Sequence, residues 1–109
     1  MNEKLFAERL AQIRTQKGYT AREMSLSLEQ SDSYINKIEN QKIKPSISMF
    51  FSICEYLEIS EKDFFDIENK YPARLKDIIE NLKQLDDDAL ANLSGVVEKM
   101  VGNSKQENN

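Results

Sequence analysis

The chain has 109 residues, 39 % of them hydrophobic and 31 % charged, with a net charge of −4, three glycines, one cysteine and no histidine. This suits one soluble globular domain with a short appendage rather than a disordered chain, and a lone cysteine without histidine supplies neither an internal disulfide nor a zinc site. No apolar run approaches the roughly 20 residues that span a bilayer, and the start, Met1 to Phe6, lacks a signal-peptide core, so the expected location is cytoplasmic with no membrane contact.

A first helix is expected from Asn2 or Glu3 to Lys17. Phe6, Leu10 and Ile13 recur at i, i+4 and i+7, while Lys17 and Gly18 supply a cationic last turn and a C′ glycine. Thr20 opens the second helix with the capping-box pattern Thr20–Glu23, and Tyr19 with Met24 forms a hydrophobic staple. Met24 and Leu28 share one face. The third helix is expected from Ser31, a good N-cap, to Asn40. Ile35 and Ile38 point inward there, and Asp32, Ser33, Asn36 and Lys37 fall on the other face. A narrow buried stripe opposite short polar donors and acceptors is the form expected of a helix that enters the DNA major groove.

A short basic loop, Gln41 to Pro45, follows. Pro45 and Ser46 open a fourth helix with Ile47, Phe50, Phe51, Cys54 and Leu57 as its apolar face, Cys54 acting as a small buried hydrophobe. Ser60 and Asp63 repeat the capping pattern for a short fifth helix ending near Phe65. The expected core is Phe6, Leu10, Ile13, Met24, Leu28, Ile35, Ile38, Phe50, Cys54, Leu57 and Phe64.

From Asp66 to Tyr71 the apolar pattern lapses. Pro72 suits the first turn of a sixth helix, striped by Leu75, Ile78, Ile79, Leu82 and Leu85. Asp86 caps a seventh, with Asp87 and Asp88 at its positive end; three carboxylates there are read as a cap, not a metal site. Leu85 and Leu90 form a second staple, and Leu93, Val96, Val97, Met100 and Val101 continue the stripe to Gly102. The chain thus divides into 1–67, a helical pair over 68–102, and a polar tail over 103–109 expected to be disordered. The pair has more apolar surface than it can bury alone. It packs on the first domain or on another chain, the second being favoured.

Over residues 6–66 the sequence resembles the lambda-repressor-type helix-turn-helix family, the xenobiotic-response-element (XRE) class of bacterial and phage regulators. The residues that carry the resemblance are Arg14, Gly18, Thr20, Glu23, Ser31, Ile35, the run Ile38-Glu39-Asn40, Lys42, Pro45 and Leu57-x-Ile59, with Tyr34 to Asn40 the most specific piece. The resemblance implies an all-α fold, a five-helix DNA-binding domain here followed by a helical hairpin. It also implies an ion pair between Arg14 and Glu39, for which partial burial gives a physical reason, since each charge needs the other. Two separately solvated charges are the alternative.

The function implied is a sequence-specific regulator of transcription, a repressor, with helix 31–40 in the major groove of double-stranded operator DNA. Base edges would be read by Asp32, Ser33, Asn36 and Lys37: Lys37 to guanine, Asn36 to adenine if it faces the bases, and Asp32 either to cytosine or, as a first-turn acid, to the helix dipole alone. Arg22, Ser31, Tyr34, Asn40, Lys42 and Lys44 suit phosphates. One module makes few contacts, so the family's usual solution is a homodimer on half-sites roughly 34 Å apart. Dimerisation is assigned to Leu75, Ile78, Ile79, Leu82, Leu93, Val97 and Met100.

Residues 1–50 carry eight Lys/Arg against six Asp/Glu, leaving −6 for the rest. Phosphate neutralisation is local, so the acidic back half permits DNA binding while opposing strong non-specific affinity. Three positions depart from the family pattern. Ala21 replaces a glutamine that contacts phosphate, and Glu29 and Gln41 stand where glycine is usual. Each of these two costs on the order of 1 kcal/mol if its φ is positive.

The competing reading is an interaction module or antitoxin-like component that keeps the fold without binding DNA. An enzyme is the weakest reading, since no phosphate-cradling glycine loop and no paired nucleophile and base are present. No cofactor and no small-molecule effector are implied.

Overall fold

The computed structural model describes residues 1–107, with side chains through Ser104. Among these residues it has seven α-helices and no strand, and it divides into two compact units, Met1–Ala73 and the part from Arg74 onward.

The first unit holds α1 (Glu3–Lys17), α2 (Ala21–Ser27), α3 (Tyr34–Glu39), α4 (Ile47–Tyr56) and α5 (Glu61–Phe65). Local chemistry starts most of them. The side chains of Asn2, Thr20, Ser46 and Ser60 each accept a hydrogen bond from the N–H three residues on, at 2.9 to 3.1 Å, satisfying a donor that the helix itself leaves free.

Four helices stop in the same way. Gly18, Glu29, Gln41 and Glu58 have φ of 80°, 60°, 60° and 54°. The N–H of the next residue reaches the carbonyl five residues back: Tyr19 to Arg14, Gln30 to Ser25, Lys42 to Lys37 and Ile59 to Cys54. This is the closing bond of a Schellman turn, made three times without the glycine that suits it. The pattern of departures anticipated Glu29 and Gln41 but not Glu58.

Leu10, Ile13, Met24, Ile35, Ile38, Ile53, Cys54, Leu57 and Phe64 form the buried core. Phe6, Leu28 and Phe50, expected inside, are partly buried and pack against it, while Ile53, absent from the expected face of α4, is fully buried. Phe51 and Ile47 are instead 53 % and 75 % exposed. The rotation of α4 is set by aromatic packing. The Phe50 ring lies 5.6, 5.2 and 5.2 Å from those of Phe6, Phe64 and Phe65, leaving no inward room for Phe51.

α6 (Pro72–Leu82) begins with a buried Pro72, and α7 (Asp87–Glu107) is capped by Asp86, whose carboxylate accepts from Ala89 N at 2.9 Å. Past Ala73 no described side chain is buried. Gly102 does not stop α7, which runs on through residues expected in a disordered tail. A glycine inside a helix costs only about 1 kcal/mol and ends one only where the backbone turns left-handed. Residues 108–109 of the expected tail lie outside the described residues.

Candidate nucleic-acid interface

The α2–turn–α3 segment is built on one buried hydroxyl. Ser25, fully buried in α2, donates to the Ala21 carbonyl at 2.7 Å and accepts from the Ile35 N–H at 2.9 Å. It therefore caps a helix ten residues further along the chain. α3 consequently begins at Tyr34 rather than at the expected Ser31, and its own N-cap, Ser33, makes no side-chain cap bond. Ser31 to Ser33 form a turn closed by Tyr34 N to the Ser31 carbonyl at 3.1 Å.

This shorter helix changes the placement of the expected base readers. Asn36 and Lys37 stand exposed on α3, whereas Asp32 and Ser33 belong to the turn before it, exposed and half-buried respectively. Asp32 is not a first-turn acid of α3, so the dipole role considered for it does not apply. Ser31 and Arg22 are exposed close by in the chain, and Tyr34 is half-buried. Burial pushes the Tyr34 phenol above its ordinary pKa, which keeps it protonated and able to donate.

The far end of α3 is held by charge. Arg14 meets Glu39 in a two-pronged pair, Nε to Oε2 at 2.7 Å and Nη2 to Oε1 at 2.8 Å, and its Nη1 donates to the Tyr19 carbonyl at 2.7 Å. Side-chain exposures of 17 % and 12 % place the pair at the edge of the core. The hydrogen bond to Glu39 holds the guanidinium above its ordinary pKa despite partial desolvation. α3 is thus fixed at its start by Ser25 and at its end by Arg14.

Two expected contact residues are already engaged with their own chain. Asn40 spends its amide N–H groups on Asn36, at 2.8 Å to Oδ1 and 2.9 Å to the carbonyl. Asn40 must release them to donate to a phosphate, and Asn36 must free its oxygen to accept from adenine N6 while its amide donates to N7. Lys44 bonds Glu3 at 2.6 Å, both side chains largely exposed. Such a surface pair contributes about 0–1 kcal/mol and is readily exchanged for phosphate. Lys37 and Lys42 are exposed without an ion-pair partner among the described residues.

Arg9 was counted among the front-half cations but contributes none of the exposed charge. It is 2 % exposed. Its Nε donates to the Phe64 carbonyl at 2.8 Å, its Nη2 to those of Asp63 and Asp66 at 2.8 and 3.0 Å, and its Nη1 to Gln12. It closes the carbonyl end of α5, where a cation is favoured. The signal was present: Phe6, Arg9, Leu10 and Ile13 follow the i, i+3, i+4, i+7 template, so the charge lies on the inward stripe.

The seven residues assigned to dimerisation lie on α6 and α7. Leu82 is half-buried and the others are exposed, from 36 % for Leu93 to 62 % for Met100. A groove of about 460 Å3 lined by Leu82, Leu90, Leu93, Val97 and Val101 opens along the hairpin. Among the described residues no helix is long and apolar enough to cross a membrane.

A family model described as helix-turn-helix domain matches residues 7–70, the span that contains the Ser25-capped α3, the Arg14–Glu39 pair and the Arg9 clamp. No curated protein matches the chain.

Proposed function

The chain belongs to the helix-turn-helix domain family, and from that premise we propose that it is a sequence-specific transcriptional regulator of the lambda-repressor (XRE) type, a repressor acting as a homodimer on double-stranded operator DNA. The observation that carries the reading is α3. It is a short helix fixed at both ends by the rest of the unit, with Asn36 and Lys37 exposed on its outer face.

In this account α3 lies in the major groove. Lys37 donates to guanine O6 and N7, and Asn36 reads adenine once released by Asn40. Asp32 and Ser33 approach base edges from the turn that enters the groove. Arg22, Ser31, Tyr34, Lys42 and Lys44 hold phosphates, and Asn40 joins them when Asn36 turns to the bases.

The homodimer forms through α6 and α7. The exposed apolar side chains of one hairpin, at roughly 60–80 Å2 each, would supply about 600–800 Å2 per partner, the size of a standard stable interface. A second reading, a protein-interaction module with weak or no DNA binding, is favoured by one observation. Ala21 stands where the family places a phosphate-contacting glutamine.

The test is a titration against DNA from upstream of the protein's own reading frame at two salt concentrations. A regulator binds with a sequence preference, and its affinity falls steeply with salt according to the number of phosphates neutralised. Binding no better than to random DNA favours the interaction module.

A further inference from the structure

A groove with about 760 Å3 of space runs between the first turn of α1 and the α3–α4 loop, walled by Phe6, Ile38, Ile43, Pro45, Ile47 and Phe50. That lies within the roughly 300–1,000 Å3 of small-molecule sites. The sequence pattern gave no sign of it, because its walls come from separate segments.

The rim has a definite electrostatic sign. Asn2, Glu3 and Lys4 from the N-terminal end of α1 and Ser46 from that of α4 border the groove, on helices of 15 and 10 residues. Each such end carries partial positive charge. Lys4 and Lys44 add two full charges. One carboxylate already answers them: Glu3 meets Lys44 at 2.6 Å on side chains 64 % and 74 % exposed. A pair so solvated exchanges easily for another anion.

We propose that this groove binds an amphiphilic carboxylate, a single anionic head on an apolar body. The head takes Lys44 from Glu3, and the chain covers Ile43, Phe50 and Ile47, the last 75 % exposed. Lys44 is also a proposed phosphate contact, so occupancy withdraws a cation from DNA. That consequence rests on the DNA-binding reading; the site itself does not.

The test uses the full chain without DNA, titrated with decanoate below its micelle concentration and followed by backbone amide NMR. Decanol serves as the uncharged control. Expected are saturable shifts at Lys4, Ile43, Lys44 and Ile47, with decanoate binding about five-fold tighter than decanol, the scale of one solvated charge pair. Lys44→Ala removes that difference, Glu3→Gln strengthens decanoate binding, and Ile47→Asp abolishes it with the rest of the amide spectrum intact. Shifts that do not saturate, that spread over α6 and α7, or that are equal for decanol overturn the site. With operator DNA present, decanoate lowers the affinity of the native chain but not of Lys44→Ala; an unchanged native affinity overturns the coupling while the DNA-free titration still decides the site.

Discussion

The hydroxyl of Ser25 in α2 accepts the N–H of Ile35 in α3 at 2.9 Å, and by that bond sets where α3 begins. A helix start needs a partner for its free donors. Here the partner comes from the preceding helix, so the cap also fixes the angle between the two.

Removing that hydroxyl leaves the Ile35 N–H buried without a partner, at a cost of about 1–3 kcal/mol. Ser25→Ala is therefore expected to destabilise the protein by that amount in urea unfolding, whereas the exposed Ser27→Ala leaves the midpoint within error. Equal, small effects of the two substitutions would remove Ser25 from its capping role.

Arg14 and Glu39 are mostly but not fully buried, so losing one partner should cost somewhat less than the roughly 3–5 kcal/mol of a fully buried pair, about 2–3 kcal/mol. A double-mutant cycle with Arg14→Met and Glu39→Gln should return a coupling energy of about 1–3 kcal/mol. A coupling near zero would mean that the two charges act separately.

The left-handed helix ends offer a gain. Gln41→Gly and Glu58→Gly each relieve on the order of 1 kcal/mol of backbone strain. Thermal unfolding should show a rise in Tm of about 4–8 °C for each relieved kcal/mol in a domain of this size. A fall in Tm would show that these side chains make contacts worth more than the strain.

Burial pushes the Cys54 thiol up to about 12, with the nearby Glu61 charge adding to the effect. Because the folded pKa lies above the unfolded one, the contribution is complete below the ordinary thiol value and is lost as pH rises through the interval up to about 12. The stability advantage of the native chain over Cys54→Ala should therefore shrink by roughly 1.5 kcal/mol between pH 8 and pH 10. A pH-independent difference would place the thiol in contact with water.

Much of this arrangement was legible because its causes are local. Thr20, Ser46, Ser60 and Asp86 each cap the helix that follows within three residues, and Gly18 is positioned by its own backbone angle. What sequence reading missed was set by partners distant in the chain. Ser31 looked like the cap of α3, but Ser25 reaches across from α2. The spacing of Arg9 put it on the inward stripe of α1, but the carbonyls that hold it lie more than fifty residues away. The rotation of α4 came from Phe6 and Phe64, which no pattern within α4 contains. In the candidate interface, the exposure of Asn36 and Lys37 on α3 was readable from spacing, but the engagement of Asn36 by Asn40 and of Lys44 by Glu3 was not.

The most direct test of the account compares the native chain with Lys37→Ala and Lys42→Ala on operator DNA and on its single-base variants. A residue that reads a base edge and one that holds a phosphate fail differently. Lys37→Ala is expected to cost about 1–3 kcal/mol and to abolish discrimination at one base pair, while Lys42→Ala weakens binding equally across all sequences and lowers the salt slope by about 1. If Lys37→Ala left the base preference at every position unchanged, α3 would not be the helix that reads the operator.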